Sequence, residues 1–210
     1  MFDPQMRCNS NWLIASVSVT VVSIQQLRLI EHSTRLKSTT ASALPSTRFR
    51  IAMMNLLINV DHVGTLRNAR EASFPDPVRA AARCEQAGAD GIVFHLREDR
   101  RHIRERDVRL LNETVEGKLD FELSTDAEVV SICCDVSPDL ATLVPERREE
   151  VTTEGGLDIV SDPDPLTDAI AQLYDAGVEQ VSLFVDPVQE QIEAAAQTDA
   201  NCVELHTGDY

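Results

Sequence analysis

Aromatic residues and lysine are scarce in this 210-residue chain: one Trp, two Tyr, six Phe, and only Lys37 and Lys118 as lysines. No lysine sits at the end of an apolar run, so Schiff-base chemistry, and with it a lysine-dependent aldolase or related sugar-phosphate barrel enzyme, lacks support. Cations are few overall, with 19 Lys and Arg against 35 Asp and Glu and a formal net charge of -16. A phosphate backbone needs a net positive face, so no nucleic-acid partner is expected. The five cysteines (Cys8, Cys84, Cys133, Cys134, Cys202) are odd in number and show no C-x-x-C spacing. They read as buried, inert thiols of a reduced, cytoplasmic protein. G-x-G-x-x-G after the first strand, the P-loop, the G-x-S-x-G elbow and H-x-H are all missing. Those absences count against nucleotide binding, serine nucleophiles and metal-dependent barrel hydrolysis. No membrane partner is expected either, because WLIASVSVTVVSI (12–24) is short and interrupted by Ser and Thr.

Residues 1–53 have a texture of their own, with six cations and two acids, leaving 13 cations against 33 acids in the remainder. This N-terminal extension is Ser/Thr-rich and reads as disordered or as a non-native start, with Met53 or Met54 opening the natural chain. A transit peptide is the second reading. Residues 54–210 form one domain, with 43% hydrophobic residues in the whole chain supplying a substantial core.

From Leu56 onward, apolar runs alternate with amphipathic segments six times. LLINVDHV, GIVFHL, KLDFELS, LATLVPE, QVSLFV and CVELHTG read as strands. Between them lie helices, one opened by Asp76-Pro77 and stopped at Gly88, others around Asp107 to Val115, at DAEVVSICCDV, LTDAIAQLYDAG and QEQIEAAAQ. Such alternation predicts a parallel sheet covered by helices. Polar groups sit at the C-terminal end of every strand: Asn59, Asp61 and His62; His95 and Arg97; Glu122 and Ser124; Glu146; Asp186; Glu204 and His206. An open sheet concentrates such groups at one switch point, whereas a barrel distributes them over many strand ends. The fold class is therefore α/β, a TIM-type (β/α) barrel rather than an open sheet. Side chains two apart share a face, which pairs Asn59 with Asp61, His95 with Arg97, and Glu204 with His206.

Glu122 closes an apolar strand, where desolvation raises a carboxyl's proton affinity and suits it to act as a general base. His95, at the end of the preceding strand, exchanges protons near neutral pH. HLREDRRHIRER (95–106) gathers five Arg and two His in an otherwise acidic domain. Arg97 and His102 are the candidate phosphate ligands of this run, while Arg100, Arg101, Arg104 and Arg106 read as surface salt bridges. Arg67 and Arg70, expected in a loop after the first strand, offer a second anion site.

NVDHVGTLRNAR, FPDP, QAGADGI, HLREDRRHI, DVRLL, VPERREEVTTEGGLD, QVSLFVD and ELHTG together closely resemble the pyridoxine 5'-phosphate synthase family, over about residues 55–210. The resemblance implies a (β/α)8 barrel, usually a homo-octamer, without metal or organic cofactor. It also implies condensation of two small phosphorylated substrates, 1-deoxy-D-xylulose 5-phosphate and 3-amino-2-oxopropyl phosphate, to pyridoxine 5'-phosphate, phosphate and water. By motif, His95 and Glu122 correspond to acid-base residues, and Asn59 and Arg70 to contacts with the amino ketone. Asp61, His62, Arg97, His102 and Thr152 correspond to contacts with the deoxyxylulose phosphate, and Glu204 to a supporting residue. Family members continue past H-T-G-x-Y through two more strand-helix units that carry a further catalytic His and a phosphate contact. Little or no product is therefore expected from these 210 residues alone, and the alternative reading is an inactive or ligand-binding fragment. A six-strand sheet is also expected to leave edges at its first and sixth strands.

Overall fold

Short strands alternating with helices along the chain build a curled parallel sheet whose buried polar side chains share one face. A computed structural model describes residues 21–23, 55–146, 155–161 and 163–208. Its strands are β1 (Val21–Ser23), β2 (Leu57–Asn59), β3 (Gly91–His95), β4 (Lys118–Leu123), β5 (Leu140–Leu143), β6 (Gln180–Val185) and β7 (Cys202–Leu205). The helices are α1 (Asp61–Ala69), α2 (Pro77–Gln86), α3 (Glu105–Thr114), α4 (Ala127–Val136), α5 (Asp164–Asp175) and α6 (Gln189–Ala195). Strands β2 to β7 pair in parallel in chain order and form the curled half of a (β/α)8 barrel. The antiparallel β1 lies along β7, with Val22 opposite Val203. The edge expected to be open at the sixth predicted strand is thus covered, while β2 is the terminal strand on the other side. Apart from Val21–Ser23, the extension lies outside the described residues.

Local rules place the helices. Asp76 accepts the Val78 N–H at 3.1 Å with Pro77 at the first helical position, and Gly88 adopts φ 104° just past the end of α2. Asp126 caps α4, which ends on Ser137 in the left-handed conformation at φ 46° rather than on Pro138 alone. The first predicted strand is shorter than expected. Asn59 Oδ1 accepts the Asp61 N–H at 2.8 Å, which turns the chain out of β2, and VDHV becomes the start of α1.

Helix-facing residues of the strands, including Ile92, Phe94, Phe121, Leu143, Leu183 and Val203, are fully buried against Val108, Leu111, Val129, Ile170 and Leu173 from the helices. Burying one such side chain contributes about 1.5–3 kcal/mol. The opposite parity carries the buried polar side chains His95, Asp120, Glu122, Thr142, Ser182 and Glu204, interleaved with Val93, Leu140 and Cys202. The cysteine reading holds in part: Cys133 and Cys202 are buried, Cys84 and Cys134 half-buried, and Cys8 lies outside the described residues.

Arg67 corrects an expectation. It lies within α1, buried, and its two terminal nitrogens donate to the Asp107 carboxylate at 2.8 and 2.7 Å. Asp107 also accepts the Arg104 N–H at 3.1 Å and so ties α1 to the start of α3. A guanidinium held in that fork offers no second anion site. Replacing Arg67 leaves buried Asp107 with only the half-exposed Arg106 guanidinium at 2.9 Å, so Arg67→Met is expected to cost up to about 3–5 kcal/mol, and the double replacement Arg67→Met with Asp107→Leu less. Urea unfolding of the two variants checks the difference.

Candidate functional site

The polar strand ends converge on one buried cluster. Asp61 stands at its centre: Oδ2 accepts Asn59 Nδ2 at 2.9 Å and Oδ1 accepts the His95 backbone N–H at 2.8 Å. This locks the first helical residue of α1 to the end of β3. His95 and Glu122 are direct partners in the parallel register of β3 and β4, so their side chains are neighbours on the inner face. Asp61, His95 and Glu122 each bring one ligating atom to within 4.8 Å of the others. Three ligands from three strand ends can hold a divalent cation, a possibility that the H-x-H criterion does not capture. Both Asp61 oxygens already serve as acceptors, however, and the His95 ring is held by Glu146. The arrangement is suited to moving protons.

Glu146 is the residue that sequence reasoning left without a role. Its Oε1 meets His95 Nε2 at 2.8 Å, and its Oε2 accepts the Glu98 N–H at 3.2 Å and lies 3.9 Å from Arg97 Nε. A carboxylate that holds an imidazole is legible only in three dimensions when, as here, 51 residues separate the two.

Electrostatics follow from burial. Desolvation pushes the Glu122 carboxyl well above its usual range, reinforced by Glu204, Asp61 and Asp120. Burial raises Asp61 as well, against the opposing influence of His95 and the bonds from His95 and Asn59. Burial raises Glu204 to about 7. Asp120 lies two residues before Glu122 on the same face, where burial and Glu204 raise it despite the hydrogen bond from Thr142 Oγ1 at 3.0 Å.

The remaining candidates divide. Arg97 is buried, 3.7 Å from Asp99 and beside Glu146, and His102 is buried with its ring edge-on to half-buried His62 at 5.9 Å between centroids. Arg70 is exposed in the turn at the C-cap of α1, outside the buried cluster, and the helix Asp61–Ala69 separates it from the strand end. Thr152 lies outside the described residues. His206 pairs with Asp186 at 3.0 Å beyond β7. Arg100, Arg101 and Arg106 form surface ion pairs with Glu105 and Glu128, with Asp99, and with Asp76 and Asp107 respectively.

The curled sheet with acid-base groups at its strand ends defines a protein of the TIM-barrel class. Residues 56–210 match the family described as pyridoxal phosphate biosynthesis protein PdxJ, and the chain belongs to that family. It is 80% identical over 158 residues to the pyridoxine 5'-phosphate synthase of Salinibacter ruber, covering 75% of this chain and 65% of that protein. The synthase of Rhodopirellula baltica is 59% identical over 157 residues, covering 75% and 63%. That of Thermosynechococcus vestitus is 57% identical over 158 residues, covering 75% and 66%. The chain thus spans about 65% of the length of these relatives.

Buried carboxyls with raised pKa values set the pH dependence of stability. Glu204 binds its proton more tightly when folded, so its stabilising contribution is full below the unfolded value near 4.5 and is lost as pH rises through about 7. Glu204→Gln is expected to be the more stable protein at pH 8, by roughly 2–3 kcal/mol, with little difference at pH 4. Urea midpoints measured at both pH values check this.

Proposed function

We propose that the protein acts as a pyridoxine 5'-phosphate synthase, joining 1-deoxy-D-xylulose 5-phosphate to 3-amino-2-oxopropyl phosphate with release of phosphate and water. The observation that carries this reading is the register pairing of His95 with Glu122, beside Asp61, in a family whose named relatives are such synthases. Ring closure requires protons to be taken from carbon and delivered to departing oxygens. Glu122, its affinity raised by burial, is the proton acceptor. His95, oriented by Glu146, exchanges protons with the reacting oxygens. Asn59 and Arg70 contact the amino ketone. Asp61, His62, Arg97, His102 and Thr152 contact the deoxyxylulose phosphate, and Glu204 supports Glu122 by keeping a second proton-binding carboxyl close by. The working protein is a cytoplasmic transferase and a homo-octamer, needing no cofactor. Among the described residues no helix is long and apolar enough to cross a membrane.

Incubation with both substrates, followed by chromatographic detection of pyridoxine 5'-phosphate, tests this reading. Where product forms, His95→Asn and Glu122→Gln are each expected to lower the rate by roughly 10²–10⁴-fold. A rate unchanged by either substitution removes the assignment. A second reading, favoured by Arg97 and His102 standing buried just beyond β3, is that the protein binds deoxyxylulose phosphate without turnover. Heat on calorimetric titration with that sugar phosphate, without product in the two-substrate assay, selects it.

A further inference from the structure

The strands run in the order β1-β7-β6-β5-β4-β3-β2, so β7 has β6 on one side and the antiparallel β1 on the other. Within a strand, the N–H and C=O of one residue point to the same side, and those of the next residue to the opposite side. His206 donates its N–H to the Val185 carbonyl at 2.8 Å, which sets Glu204, two residues earlier, toward β6 as well. Val203 therefore turns both of its backbone groups to the outer edge, where its register partner is Val22. An unpaired edge of this kind is a template for any extended chain.

The segment that fills the edge has the composition for it. Residues 12–24, WLIASVSVTVVSI, hold no charged side chain and are rich in Val, Ile and Thr, which favour extended backbone. A ladder of three residues is too short to persist between separate chains in dilute solution. Covalent connection changes the balance, because one chain presents β1 to the edge at an effective concentration up to about millimolar. Residues 24–56 join β1 to β2, which lies at the far end of the sheet. Seven strands at a spacing of about 4.8 Å put the two ends no more than ~29 Å apart. Fully extended, residues 24–56 cover on the order of 100 Å, so the connection is long enough to reach.

We propose that the outer edge of β7 is a strand-acceptor site whose occupant is the chain's own segment about Val21–Ser23, added antiparallel and in cis. The site takes an uncharged, β-branched peptide in extended form and holds it by main-chain hydrogen bonds to Val203. This gives the N-terminal extension a role that is independent of the synthase reading. It closes the edge of the strand that carries Glu204, opposite which the register sets Val21.

Hydrogen exchange of the full chain, followed by NMR, reads the pairing at the Val203 amide. Slow exchange is expected there, together with a backbone nuclear Overhauser contact between β1 and β7. Val22→Pro removes the N–H that faces Val203, and the Val203 amide is then expected to exchange at least about tenfold faster, with Phe121 in β4 unchanged. A synthetic peptide of residues 15–26 at about millimolar concentration is expected to restore protection in that variant, and the same peptide carrying Val22→Pro is not. Unchanged Val203 exchange in Val22→Pro overturns the proposal, as does failure of the peptide to restore it. Absence of the β1–β7 contact in the unsubstituted protein overturns it too, even if the proline variant fails to fold. In a mixture of carbon-13 and nitrogen-15 labelled chains, contacts confined to single chains support the cis assignment. A contact between differently labelled molecules gives the edge to a second copy and overturns it.

Discussion

Burial of ionisable groups inside a curled parallel sheet is the constraint from which the rest of this structure follows. One parity of each strand packs apolar side chains against helices, and the other carries the buried polar groups His95, Asp120, Glu122, Thr142, Ser182 and Glu204, beside which Asp61 stands at the start of α1. Carboxyls so close together cannot all ionise without strong repulsion in a medium that solvates them poorly. The result is a set of proton-binding groups whose affinities are moved toward neutrality, as the value of about 7 for Glu204 illustrates. The helix-facing core holds these groups in place against that repulsion.

A second constraint concerns the connection from β3 to α3. Arg67 and Asp107 form a buried ion pair between α1 and α3, and Asn68, Gly64 and Thr65 bring the same helix against Arg101 and His102. The chain after β3 is thereby fastened to the chain after β2. Asp61 makes the same link from the other side by accepting the His95 N–H. Strand ends that come from separate parts of the sequence behave as one rigid wall, which is what proton transfer between fixed partners requires.

Much of the site was legible without coordinates, because the period of two in a strand and the rule that barrel sites form at C-terminal strand ends together select few residues. His95 beside Glu122 and a desolvated Glu122 follow from them, whereas Asn59 meets Asp61 through a turn and not through strand parity. Three matters did not. Arg67 resembled an anion ligand because its partner Asp107 is 40 residues away. Glu146 resembled an isolated strand-end acid because its bond to His95 spans 51. The first strand looked long because the side-chain bond from Asn59 that turns the chain at Asp61 competes with strand pairing in a way that hydrophobicity does not register.

The sequence by itself determined the alternation of strands and helices, the parity of inward residues, the excess of acid and, through its motifs, the family. These depend on local periodicity and on residues close together in the chain. Tertiary structure decided which charges neutralise one another and which carboxyls have their proton affinity raised. Those properties depend on distance and on solvent exclusion between segments tens of residues apart, and neither exists until the sheet has curled and the helices have packed against it.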